Sequence, residues 1–147
     1  MDSKKILGIA RSWVGTKFHY CGRIRKNECN NGGVDCIGLI LKVGEECGAT
    51  FAGKNIIYYD YLTYSRYPNS GEMKNFLDKY FIKINETQAT IGDLIYFNFE
   101  NGLEHIAIIS GNKKIIHCYT GAKRVVEHNI NEYWSNKIID YYRYNNS

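Results

Sequence analysis

An α+β fold, with one buried helix lying on an antiparallel sheet, is what this sequence predicts, on three observations. Helical periodicity is confined to about the first 80 of the 147 residues. Short runs of β-branched and aromatic residues, cut by Gly and Asn turns, fill the second half. The stretch from Val34 to Gly48 is apolar on more than one side, so it needs cover from both a sheet and its neighbours.

Taking the elements in order, Ile6, Ile9, Ala10, Trp13 and Val14 share one face of a helix over Ser3 to Val14, with Asp2 or Ser3 as cap and Gly15 as stop. Residues 16–33 carry Gly22, Gly32, Gly33 and several Asn and read as a long loop. From Val34, Ile37, Ile40, Leu41 and Gly44 recur at helical spacing until Gly48 ends the run. Residues 49–69 are irregular and rich in tyrosine, which suits core and rim packing better than a sugar- or peptide-lined groove. "SGEMKNFLDKYF" follows as a short amphipathic helix with Met73, Phe76, Leu77 and Tyr80 inward. "DLIYFNF", "HIAIISG", "KKIIHCYT", "KRVVEHNI" and "IIDYYRY" then read as a meander of strands. No repeat or linker interrupts the pattern, so residues 1–147 are expected to form a single domain.

Composition narrows the function classes. A hydrophobic fraction of 44% with 13 tyrosines belongs to a folded globule. The net charge of +4 is scattered, and its two clusters, residues 23–26 and 113–114, read as solvated loop and turn, so no nucleic-acid partner is expected. No apolar run is long enough for a membrane span, and the amino-terminal apolar stretch is too short for a signal-peptide core. Synthesis in the cytoplasm is therefore expected. The five cysteines, Cys21, Cys29, Cys36, Cys47 and Cys118, fit that setting, since an odd count leaves a thiol unpaired in a monomer. Cys21, Cys29, Cys36 and His19 lack the close paired spacing of structural zinc, so neither metal nor cofactor is expected.

The chemistry centres on "GGVDCIGLIL", where Cys36 opens the buried helix. Free N–H groups and the macrodipole at a helix start favour a thiolate, by about 0.3–1 kcal/mol, which is under one pKa unit. A reactive cysteine needs more, in the form of a histidine beside it. His105 and His117 lie on consecutive predicted strands around a Gly-Asn turn, so one can face the thiol while the other orients it. His19 in the loop and His128 at a strand end read as surface or structural residues. Cys118 alternates with His117 and should point to the opposite, buried face. On residue chemistry alone, Cys36 stays open between a structural and a reactive thiol.

"ARSWVGTKFHYCGR", "GGVDCIGLILKVGEECG", "IGDLIYF", "HIAIISG" and "KKIIHCY", in that order from about Ile9 to about Asn129, together resemble an NlpC/P60 cysteine peptidase, with the flavour of the phage-associated cell-wall group. The resemblance implies a stripped-down papain-like fold, with the nucleophile helix against an antiparallel sheet. It implies Cys36 as nucleophile, His105 as general base, His117 as the residue holding that imidazole, and Asp35 in support near the helix start. Gly38 would let the helix approach its neighbour. Amide bonds of peptidoglycan stem peptides are the implied substrate, with phage-tail or particle components as implied partners and a phage-like particle or lysis as the implied route to the wall. Two positions depart from the pattern. Phe18 stands where many members have a tyrosine, which removes a hydroxyl donor that Tyr20 is the candidate to replace, and Ile91 stands where a proline often precedes "GD". Cys21 is read as structural. An acyltransferase of the same fold, and a tail-associated or wall-binding protein without hydrolase activity, are the alternatives.

Overall fold

The computed structural model describes residues 1–147. Helix α1 (Ser3–Ser12) begins where Asp2 accepts hydrogen bonds from the backbone N–H groups of Lys4 and Lys5. The predicted loop 16–33 is more ordered than its glycines suggested. It contains β1 (Arg23–Ile24) paired antiparallel with β2 (Gly33–Val34). Gly22 permits this approach, since a Cβ there would stand 2.4 Å from the Gly33 carbonyl oxygen. Helix α2 (Cys36–Cys47) follows, capped by Asp35 and ended by Gly48 at φ 81°.

The tyrosine-rich middle holds a small hairpin, β3 (Thr50–Phe51) with β4 (Lys54–Asn55), and a 3₁₀ turn at Ile56–Tyr59. Its aromatics mostly pack: Tyr59 stacks on Tyr80, Tyr61 lies against Phe76, and Tyr64 is buried, while Tyr58 and Tyr67 stay exposed. Helix α3 (Glu72–Tyr80) starts at Gly71, which has no side chain to cap it. The carboxylate of Glu104, from a distant strand, receives the Met73 and Lys74 N–H groups instead.

The main sheet comprises β5 (Ile82–Ile84), β6 (Leu94–Asn98), β7 (Glu104–Gly111), β8 (Lys114–Tyr119), β9 (Arg124–Asn129) and, after the short helix α4 (Glu132–Ser135), β10 (Ile138–Arg143). All neighbours are antiparallel, in the order β5-β10-β6-β7-β8-β9. The expected plain meander is thus corrected: the last strand inserts between the first two. The side chains at its end explain why. Tyr142 and Tyr144 are buried, and the Tyr144 hydroxyl donates to the Ile40 carbonyl of α2 at 2.6 Å. Arg143 grips the buried Asp93 of the "GD" turn through two bonds of 2.9 Å, which ties β10 to the entrance of β6.

Alternation sorts the sheet into two faces. Ile106, Ile108 and Ile116 point towards α2 and join Leu39, Ile40 and Val43 in the large core. Ile95, Phe97, Ala107 and Ile115 point the other way, beneath Trp134 of α4.

Candidate active site

Asp35 fixes where α2 begins. One of its carboxylate oxygens accepts from Gly38 N–H at 2.8 Å and from Arg23 Nη1 at 3.1 Å. The other accepts from Cys21 N–H at 2.8 Å and from the Tyr64 hydroxyl. Arg23 in turn holds Asp60 through two bonds of 3.0 Å. The first turn of α2 is thereby fastened to the preceding loop, and Cys36, its first residue, is fixed with it. Gly38 leaves the room this needs, because a Cβ there would lie 2.6 Å from both the Gly22 carbonyl oxygen and Arg23 Nη1.

Three histidines on adjacent strands share the sheet face opposite α2. His105 Nε2 lies 2.7 Å from His117 Nδ1, and His117 Nε2 lies 2.7 Å from His128 Nε2. Trp134 stands over all three rings, with centroids 5.6, 4.8 and 6.0 Å away in that order. Cys118, next to His117, points inward as alternation requires; its sulfur contacts the Val34 carbonyl and burial pushes its thiol up to about 12.

Cys36, His105, Phe18, Arg66, Tyr119 and Trp134 line one open cleft of 280 Å³. His117 is fully buried behind His105. A larger groove of 710 Å³ crosses the outer face of the sheet, but neither a cysteine nor a histidine lines it. Both members of the cleft pair are pushed towards their neutral forms. Burial, then the Asp35 carboxylate, push the Cys36 thiol far up, against a weaker pull from the Ile106 and Ile37 N–H groups. Burial holds His105 down at about 3, with a further push from His128. His117 is held lower still by burial and its two imidazole neighbours. No hydrogen bond joins the Cys36 thiol to the His105 ring, whose Nε2 is engaged by His117. Such a pair can attack a carbonyl and carry a proton.

Residues 15–143, which include every element of this site, match the model of the NlpC/P60 family. The chain belongs to the NlpC/P60 family. Solved structures agree in fold. An NlpC/P60 family protein from Bacillus cereus is 17% identical with a TM-score of 0.68, over 98% of this chain but only 40% of its own. The NlpC/P60 domain of the peptidoglycan hydrolase SagA is 18% identical with a TM-score of 0.62, covering 97% of this chain and 98% of that one. RipD from Mycobacterium tuberculosis, a non-catalytic NlpC/P60 domain protein adapted to peptidoglycan binding, is 20% identical with a TM-score of 0.59, over 96% and 95% of the two chains. No curated protein sequence matches the chain.

Within this NlpC/P60 fold the sequence-derived residues are placed unequally. Cys36, His105 and Phe18 reach the cleft, His117 backs it, and Asp35 acts through the helix cap. Tyr20 does not replace the missing hydroxyl: its own donates to the Tyr64 carbonyl and its ring packs edge-on against Tyr64, outside the cleft lining. Cys21 turns its thiol towards the Leu62 carbonyl, and His19 is exposed. Sequence reading left His128 outside the site, and the structure brings it in. The Lys114–Asn129 register puts Val126 opposite His117, so His128 is the next residue on the same face, a placement that needs the strand pairing to be known. Trp134 and Arg66 were also passed over. Trp134 sits on a helix of four residues, too short to show a period, and Arg66 sits in an irregular segment.

Proposed function

We propose that this chain hydrolyses amide bonds in the stem peptides of bacterial peptidoglycan, with Cys36 as nucleophile, His105 as general base and His117 holding His105 in place. The observation that carries the reading is the shared cleft, lined both by a thiol at a helix start and by an imidazole already bonded to a second imidazole. The Cys36 proton passes to His105 as the sulfur–carbon bond forms. His105 then gives it to the leaving amine as the carbon–nitrogen bond breaks, and water releases the acyl group. The Cys36 N–H, at the free start of α2, is one donor for the developing oxyanion. Arg66 lies over the rings of Phe18 and Tyr67 and forms no ion pair, so it offers a charge to a substrate carboxylate. SagA, a peptidoglycan hydrolase, shares the fold. We place the chain with the phage-associated members of the family as part of the same proposal.

Purified sacculi incubated with the protein should release new amino termini, and mass spectra of the fragments will identify the bond. Cys36→Ala should abolish release; activity retained in that variant would sink the reading. An added amine that appears in the products would make the enzyme a transferase.

A non-catalytic binding protein is the second reading, favoured by the burial that pushes the Cys36 thiol towards its protonated form and by Phe18, which brings no hydroxyl to the cleft. It predicts retention of sacculi without cleavage, and Cys36 alkylated by iodoacetamide no faster than the other four thiols.

A further inference from the structure

The three imidazoles form one directional chain, and its direction is set at the end furthest from the cysteine. His128 Nδ1 lies 2.8 Å from the carbonyl oxygen of Asn129. A carbonyl oxygen only accepts, so Nδ1 must carry hydrogen. With the ring's one hydrogen on Nδ1, His128 presents a bare Nε2, which requires His117 to donate from its own Nε2 across the 2.7 Å contact. That leaves His117 Nδ1 bare, so His105 donates from Nε2 across the next 2.7 Å. The remaining nitrogen of His105, Nδ1, is consequently unprotonated and is the one left for the cleft. Without His128, nothing in this chain of bonds decides between the two tautomers of His117, and the wrong one places hydrogen on His105 Nδ1, where a base needs a lone pair.

We infer that His128 is a positioning residue: by accepting from His117 while donating to the Asn129 carbonyl, it selects the tautomer that makes His105 Nδ1 the base. This rests on the hydrolase reading above. Its placement suits the task. The residue is half-buried on β9, held beneath Trp134, and beyond the cleft lining, so it acts on substrate only through the other two rings.

The test uses four forms of the chain and two readouts. His128→Leu removes the acceptor; His128→Gln keeps one, since its amide oxygen can accept from His117 Nε2–H. With purified sacculi, His128→Leu should lose roughly tenfold or more in kcat with KM within about twofold, a loss of the size seen when an orienting partner is removed. His128→Gln should restore most of it. Nitrogen-15 spectra of the imidazoles, which need no substrate, should show His105 and His117 as Nε2–H tautomers in the unaltered protein and in His128→Gln, and a mixture in His128→Leu. The inference is overturned if His128→Leu leaves the His105 tautomer unchanged, whether or not its activity or fold suffers. It is equally overturned if His105 carries hydrogen on Nδ1 in the unaltered protein. Failure of the hydrolase reading is told apart by Cys36→Ala, which would then match the unaltered protein on sacculi whatever the spectra show.

Discussion

His105 and His117 are buried without a charge partner, and this has a price in acid. An unfolded chain takes up a proton on each near pH 6.5, whereas folded His105 resists until about 3 and His117 longer. The unfolded state therefore binds more protons below pH 6.5, and stability falls as pH falls through that window, by about 1.4 kcal/mol per pH unit for each imidazole. Urea denaturation at pH 7.5 and 5.5 should show the drop, and His105→Gln should reduce the slope by about half. At this scale the sequence was informative where chemistry repeats in recognisable order: Cys36, His105 and His117 were all singled out from their motifs. His128 was not, because its role depends on a neighbour eleven positions away that only strand register brings near. Tyr20 failed for a similar reason, since nothing in "GTKFHYCGR" tells that its hydroxyl is taken by the Tyr64 carbonyl.

Among the elements, α2 is the one on which the site depends, and its start is crowded by design. Gly38→Ala would press a methyl group against the Gly22 carbonyl, a backbone atom that cannot step aside. A loss of roughly 1–3 kcal/mol is expected, measurable by chemical denaturation, with weaker activity in the surviving folded protein. Asp35→Ala should cost more, roughly 3–5 kcal/mol, because it strips the helix cap and leaves the half-buried Arg23 and the buried Tyr64 short of a partner. Both ends of α2 were readable in advance, since Asp35 and Gly48 are strong local signals. The pairs β1–β2 and β3–β4 were not, for two-residue strands have no period to detect. The start of α3 was read from its apolar spacing, but its cap was hidden, because Glu104 comes from 30 residues further along.

For the whole molecule, strand order governs. Each strand of the main sheet from β6 to β10 was visible as a β-rich run, yet their arrangement was not, since pairing between distant strands leaves no mark in any one of them. Ending the chain after Lys137 removes β10 from between β5 and β6, along with Tyr142, Arg143 and Tyr144. Such a truncated protein is expected to lack a cooperative melt and dispersed NMR signals, whereas removing only residues 145–147, which lie beyond the main sheet and bond the small β3–β4 hairpin, should keep both and loosen that hairpin alone.

The late arrival of β10 also bears on how the protein comes into being on the ribosome. Sulfur and imidazoles are all translated before residue 130, when the sheet that carries the imidazoles still lacks the strand between β5 and β6. A growing polypeptide therefore carries these side chains before the sheet that positions them has its full set of strands.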